Sequence, residues 1–505
     1  MSLISLMSAN GMPSASTDPS AATAHAMERV RHDPGKLREF LIGMPKGGDL
    51  HHHVDGAVRT ERLVDWAAED GMCIDQQSLA ASAGPCTGTQ RPASDAKKHP
   101  AFHKQIVAAW SMEGFAQRGQ ETGHDHFFAT FPKFHGVAKR RMGDILAAVT
   151  QDAANQQLQY LETLVTRADT ATADLAGRVD FTSDFSRLRT RVLAAGLSSV
   201  VDAALKETNA QERKRDVLLA CRTGASQSGC RVRVRYLHQV LRAMPPETVF
   251  TSLLLGFELA QRDTRYVGIN LVQPEDDVIA LRDYRLHMRM IRYLHTLYPR
   301  ARVTLHAGEL APGVGNISPQ DLTFHIRDAV TTAGAERIGH GVDLRHEDNP
   351  QDLLRTMAHR KVAVEIALTS NRLILNISGG EHPVSDYMKA GVPVVLVSDD
   401  AGVARTDMTK EYQTAVTDQH FTYSQLKTAA RNTLEYSFLP GASLWKGLDY
   451  TTRQPPCAGS VMDAPSDACR FFLRTSVRAA AQAQLEAEFL TFERQFSTDD
   501  AAHRD

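Results

Sequence analysis

The sequence predicts an α/β fold, a (β/α)8 TIM barrel, with a long insertion after the first strand and extensions at both termini. Three observations predict it. Eight short apolar runs rich in β-branched residues recur along the chain, the texture of strands buried on both faces of a parallel sheet. Helix-like stretches separate most of them. The residues capable of chemistry fall at the ends of those runs, and a barrel gathers strand ends at one mouth. An open doubly wound sheet is the competing architecture, but no Gly-x-Gly-x-x-Gly opens a helix after the first run.

Taken in order, residues 1–35 read as a disordered or extended leader. Ser8–Thr23 is rich in Ser, Ala and Pro without periodicity, and Met1–Gly11 lacks the basic start of a secretory signal. The barrel is expected over 36–445. Its strands are Asp49–Val54, Leu158–Val165, Arg231–Leu237, Tyr266–Val272, Arg302–His306, Arg337–His340, Val362–Leu368 and Val392–Ser398. Met142–Gln157 places Ile145, Leu146, Val149 and Ala153 on one helical face, and Asp321–Ala333 does the same with Leu322, Ile326 and Val330. The insertion, about 73–139, carries an aromatic-rich segment from Gly123 to Phe134 and is long enough to be a lid or an oligomer contact. Residues 446–505 form a turn-rich loop and a final amphipathic helix, Arg470–Phe496, packing on the barrel.

Composition excludes some classes. Of 505 residues 42% are hydrophobic and 23% charged, ordinary for a globular chain. A net charge of -2 makes no global case for nucleic acid or membrane binding. No apolar run approaches the roughly 18 residues of a membrane span. The cysteines fall in three local pairs, Cys73/Cys86, Cys221/Cys230 and Cys457/Cys469, each flanking a loop-like stretch. As disulfides they imply an oxidising compartment, periplasmic or secreted; as six buried thiols they leave a cytoplasmic location open.

The chemistry begins at Asp49-Leu-His-His-His-Val-Asp-Gly56. On a strand, His51 and His53 face the same way and His52 the other. Thr304-Leu-His-Ala-Gly-Glu309, Arg337-Ile-Gly-His-Gly341, Glu365-Ile-Ala-Leu-Thr-Ser-Asn371 and Val395-Leu-Val-Ser-Asp-Asp-Ala401 follow. Singly these have bland readings: edge-strand or core histidines, and a helix N-cap at Asp399–Asp400. Together at one mouth, His51, His53, His306 and Asp399 supply a metal site with room for water, and zinc lowers the pKa of such a water to about 7. Glu309 stands close enough to exchange a proton with substrate, and His340 can stabilise the attacking oxygen. Asp400, alternating away from Asp399, suits accepting a hydrogen bond from substrate. His124 and His126 are read as packing residues of the insertion.

As an ordered set these motifs resemble the adenosine deaminase family of the metal-dependent amidohydrolase superfamily, over about Lys36 to Trp445. The Met44-Pro-Lys-Gly-Gly start and the cysteine-bearing insertion look most like the secreted adenosine-deaminase-related growth factors and their bacterial relatives. The resemblance implies one zinc per chain on His51, His53, His306 and Asp399. It implies Glu309 as the acid protonating purine N1, His340 as the residue orienting the attacking water, Asp400 at the imidazole side of the purine and Asp55 on a ribose hydroxyl. The reaction implied is hydrolytic deamination of adenosine or 2′-deoxyadenosine to inosine and ammonia, by metal-bound hydroxide attacking C6. Two departures bear on the substrate. Gln273 in Asn270-Leu-Val-Gln273 stands at a position the family gives to glycine, and Ala367-Leu368 replaces the frequent Cys-Pro. Deamination of adenine or another aminated heterocycle is the alternative, and a signalling or receptor-binding protein with vestigial catalysis is the alternative of another class. The expected partner is a small-molecule purine nucleoside, without nucleic acid or a membrane span, and with a homodimer left open. The Cys-x-x-Cys signature of the polynucleotide deaminases is absent.

Overall fold

A computed structural model describes residues 19–115 and 121–497. Eight parallel strands lie side by side in sequence order. They are β1 (Gly47–His53), β2 (Leu158–Val165), β3 (Arg233–Leu241), β4 (Tyr266–Val272), β5 (Arg302–Ala307), β6 (Arg337–His340), β7 (Ala363–Ile366) and β8 (Val394–Leu396). The sheet closes on itself where His52 bridges Asp399 in parallel, just beyond β8. The helices that position the site are α1 (Pro19–Val30), α2 (Pro34–Gly43), α3 (Gly123–Asn155), α4 (Leu368–Leu375), α5 (Val384–Lys389) and α6 (Val477–Ser497).

The barrel is the fold expected, with displaced boundaries. β3 starts and ends later than its apolar run, and β7 and β8 are trimmed. β8 is short because Val397 donates to Ile366 O and Asp399 then turns to pair with β1, so the residues after Leu396 close the barrel instead of extending the ladder. The stretch expected as one helix from Asp321 is instead a 3-10 turn, a single α-turn and a π-turn. The final helix is two, Asp467–Thr475 and α6, broken at Ser476. The leader also needs correction. Residues 1–18 lie outside the described residues, but Pro19–Val30 is α-helical and buries Ala22, Thr23, Ala26 and Met27, packing on α6. Small side chains with no bulky apolar period gave a disordered texture to a helix that packs closely.

The insertion holds a three-stranded antiparallel sheet, with Cys73–Asp75 between Ala81–Ser82 and Gln90–Pro92. α3 then runs for 33 residues, past Pro132 and a non-helical Arg141, from the mouth down the outside of the barrel. Disulfides join Cys73–Cys86, Cys221–Cys230 and Cys457–Cys469, with Cα separations of 5.4, 5.4 and 4.5 Å, so all six cysteines are paired as the spacing suggested. No described helix is long and apolar enough to cross a membrane.

The Pro-Lys-Gly-Gly segment owes its lysine to structure. Lys46 is fully buried, and its ammonium donates to Leu41 O (2.5 Å), Met44 O (2.9 Å) and Gln156 O (3.0 Å). It thereby caps the C-terminal end of α2 and joins it to the end of α3 just before β1 begins. Burial pushes it down to about 7, against the pull of Asp407. Lys46→Met removes the ammonium from Met44 O and Gln156 O and leaves Leu41 O only the Met44 amide, and it is expected to cost about 1–3 kcal/mol. Urea unfolding with an unchanged midpoint would contradict that role.

Candidate active site

The four expected ligands meet at the C-terminal mouth. β1 slips register between Asp49 and His52 against β2. His51 and His53 turn inward, while His52 turns away and bonds Thr163 Oγ1 at 2.9 Å. Asp49 ties this end of β1 to β8: its carboxylate accepts from Ser398 Oγ at 2.5 Å and from His51 N at 3.3 Å. The Nε2 atoms of His51, His53 and His306 lie 3.1–3.3 Å from one another. Asp399 Oδ1 is 3.5 Å from His51 Nε2 and 3.3 Å from His53 Nε2.

What makes this a candidate metal centre is the other face of each ring. His51 Nδ1 meets Glu365 Oε2 at 2.7 Å, His53 Nδ1 meets Gln239 Oε1 at 3.0 Å, and His306 Nδ1 meets Asn270 Oδ1 at 2.9 Å. Each partner is an acceptor, so each Nδ1 carries the proton and each Nε2 presents a lone pair inward. Three lone pairs and a carboxylate oxygen facing one another in a buried space repel unless a cation lies between them, so the donor set fits a divalent metal. Burial pushes His51 down, but Asp399 and Glu365 outweigh it and raise the ring, the same negative charge that would draw a cation to its Nε2 lone pair. Burial, tempered by Asp399, puts His53 down at about 4, and burial beside His51 lowers His306 further. Asp399 Oδ2 accepts from Ser370 Oγ at 2.6 Å. His340 also lies within 4.8 Å of His51, His306 and Asp399 in ligand-atom terms, but its ring nitrogens are engaged differently, as shown below.

The acid stands beside this cluster. Glu275 accepts from Gly308 N (3.1 Å) and Glu309 N (2.8 Å), fixing the turn that carries Glu309, and is itself held by His325 at 2.6 Å. Burial, with Asp399 and Glu275 nearby, pushes the Glu309 carboxyl up to about 8. His340 Nε2 is 3.7 Å from Glu309 Oε1, and burial holds His340 down at about 4. His340 and Asp399 take φ values of 68° and 56°, left-handed conformations that are uncommon away from glycine and cluster at functional sites. Two glycines are there for room: a Cβ at Gly339 would stand 2.7 Å from His51 Cε1, and one at Gly56 only 1.9 Å from Asp400 Oδ1.

The substrate-side residues are placed unequally. Asp400 is buried, and its Oδ1 has no hydrogen-bond partner among the described residues. Burial and neighbouring Asp399 push its carboxyl well above the usual range. It precedes a short helix, yet its side chain makes no capping bond. Asp55 is half-buried one turn past β1 and is raised chiefly by burial, with His135 and Arg167 opposing. Gln273 has φ 81°, the conformation glycine would take, and its Oε1 turns back to accept from Ala243 N at 2.9 Å. His124 does more than pack the insertion: it bonds Asp276 at 2.9 Å across the rim, linking α3 to the loop after β4.

Sequence reading missed the residues that orient the ligands. Glu365, Gln239, Asn270, Ser370 and Glu275 each act on a ring, a carboxylate or a backbone amide far away in sequence. Glu365, Ser370 and Asn270 lay inside quoted motifs, but nothing in the spacing marked them.

A closed parallel barrel with three imidazoles and a carboxylate converging at its mouth beside a buried acid has the layout of the metal-dependent barrel hydrolases. More narrowly, the chain belongs to the adenosine deaminase family, whose model matches residues 111–446. An adenosine deaminase of Shewanella loihica is 32% identical over 138 residues, a match spanning 27% of this chain and only 38% of that protein. One from Vibrio vulnificus is 21% identical over 378 residues, 73% of this chain and 86% of that protein. Among solved structures, Arabidopsis ADAL complexed with IMP covers 79% of this chain and 94% of its own at 19% identity and TM-score 0.51. An amidohydrolase from Burkholderia ambifaria with bound zinc covers 92% of this chain and 95% of its own, at 17% identity and TM-score 0.53. At these identities the structural likeness bears on the fold.

If Glu365 sets the basicity of His51, Glu365→Gln should weaken metal affinity by roughly 10–100-fold. Competition with a chromogenic chelator measures this. Unchanged affinity would mean that Glu365 serves only its other partners.

Proposed function

We propose that the chain is a zinc-dependent deaminase that hydrolyses the 6-amino group of adenosine or 2′-deoxyadenosine, giving inosine or its deoxy analogue and ammonia. The observation that carries this reading is the convergence of three Nε2 lone pairs and Asp399 beside a carboxyl that burial keeps protonated near neutral pH. His51, His53, His306 and Asp399 would hold the metal. Zinc bound there would supply Lewis acidity, bringing the pKa of a water to about 7.

The remaining work falls to the chain's own residues. Glu309 gives its proton to purine N1, which draws electrons from C6 as water adds there. One water proton restores the Glu309 carboxyl; the other passes from the C6 hydroxyl to the amino group as the C–N bond breaks, so ammonia leaves and a carbonyl remains. His340 meets the attacking oxygen, and Asp400 contacts the imidazole side of the purine. Asp55, on the same turn as the ligand pair, is the group for a ribose hydroxyl and favours a nucleoside over a free base. The Gln273 side chain is tied back to Ala243 N and leaves its backbone free to face the purine. Deamination of another aminopurine stays in view because ADAL, a protein of the same fold, is found with a nucleotide. A vestigial enzyme has no need of every ligand and its orienting partner. Three disulfides favour a periplasmic or secreted location.

Purified protein is expected to hold one zinc per chain and to release ammonia from adenosine. Tested side by side, adenosine and deoxyadenosine should outrun adenine and AMP; a preference for adenine would remove Asp55 from its role. Zinc at full occupancy with no aminopurine turned over would overturn the proposal. Glu309→Gln should keep its metal and lose at least ~10²-fold in rate. Glu309 must start protonated and its pKa is raised by burial to about 8, so the rate falls as pH rises through that pKa, and a cation beside it moves the limb to lower pH. A pH–rate profile whose alkaline limb persists in Glu309→Gln would reassign the acid.

A further inference from the structure

Behind His340, on the side away from the ligand cluster, a file of hydrogen bonds runs to a backbone amide. Val384 N, at the start of α5, donates to His382 Nδ1 at 3.2 Å. His382 Nε2 meets Asn371 Oδ1 at 3.1 Å, and Asn371 Nδ2 meets His340 Nδ1 at 2.9 Å. All three side chains are buried, with His382 and His340 each 1% exposed and Asn371 0%. At the far end, His340 Nε2 is buried without a hydrogen-bond partner among the described residues and lies 3.7 Å from Glu309 Oε1.

The direction of every bond in this file follows from its first member. A backbone N–H can only donate, so His382 Nδ1 must be a lone pair. A neutral imidazole then carries its proton on Nε2, and burial with Arg345 nearby holds His382 down at about 3. The amide group receiving that proton must be the oxygen, which sets the Asn371 flip and turns its NH2 toward His340. His340 Nδ1 therefore accepts, and Nε2 carries the hydrogen. This differs from His51, His53 and His306, whose Nδ1 atoms face acceptors. The four rings at the mouth are thus sorted into three with inward lone pairs and one with an inward N–H.

We infer that Asn371 and His382 are positioning residues that hold His340 as the Nε2–H tautomer, so that it donates a hydrogen bond to the oxygen attacking the substrate and is neither a metal ligand nor a general base in its resting form. The inference rests on the deaminase reading for what the N–H meets, but the tautomer is a property of the free protein. Asn371→Asp is the sharpest probe, because it keeps the shape and replaces the donating NH2 by an accepting oxygen. His340 would then place its proton on Nδ1 and turn a lone pair inward. His382→Leu, which releases the Asn371 flip, is the second probe, and His382→Gln can restore a donor to Asn371 Oδ1.

The test has two readouts. The first is the 15N–1H correlation spectrum of histidine-labelled protein without substrate, with His340 assigned by its loss in His340→Gln. The second is steady-state kinetics with metal content checked. Wild type should show Nε2–H and Asn371→Asp should show Nδ1–H. In the kinetics, kcat should fall ~10²-fold or more in Asn371→Asp and His382→Leu, with KM within about threefold and partial recovery in His382→Gln. An Nδ1–H signal in wild type overturns the inference whatever the activity proves to be. So does a kcat in both variants within about threefold of wild type, or a loss in Asn371→Asp without the change of tautomer. Inactive wild-type protein showing the Nε2–H signal would leave the relay standing and remove the deaminase reading alone.

Discussion

Two backbone hydrogen bonds hold the two ends of the barrel together. Asp399 N donates to His51 O at 2.9 Å, and His53 N donates to Asp399 O at 3.2 Å. The bonds that close the sheet therefore run through three of the four residues expected to bind metal. This explains why Asp399 keeps a left-handed backbone, a conformation that costs of order 1–3 kcal/mol for a residue other than glycine. A relaxed Asp399 would lose the closing bonds as well as its position against the imidazoles. Closure also places Asp400 against Gly56, where no larger residue fits.

Beneath the mouth, the barrel interior is charged where aliphatic layers would be usual. Arg337 donates to Glu365 Oε1 at 2.5 Å and to Glu162 Oε2 at 2.6 Å, and its guanidinium lies 3.8 Å over the Phe438 ring. Glu162 also accepts from Tyr160 and from Phe438 N, so its lone pairs are occupied. A buried ion file of this kind is weak evidence of added stability, and removing one member costs about 3–5 kcal/mol because it strands the others. Its use here is directional: β2, β6 and β7 deliver a carboxylate oxygen to His51 Nδ1.

The fold was legible wherever burial leaves a periodic trace. β2, β4 and β6 coincide with their apolar runs because both faces of those strands are covered. Insertion strands of two or three residues carry no such trace, and α1 was read as leader because Ala and Thr pack without looking hydrophobic. The candidate ligands were legible because each ends a strand with an unusual residue. The groups that aim them were not. Gln239 lies 186 residues from His53 and Glu365 lies 314 from His51, so only the closed barrel brings them together. The flip of Asn371 and the tautomer of His340 depend on an amide that no motif contains.

The three disulfides join cysteines only 13, 9 and 12 residues apart, all in excursions from the barrel wall. Correct partners thus meet at high local concentration while the chain is still unfolded, whereas every mismatched pair must close a loop of more than a hundred residues. Oxidation is thereby uncoupled from the order in which the strands assemble. The crosslinks therefore staple excursions from the wall, and none joins two of the strands that carry the candidate ligands.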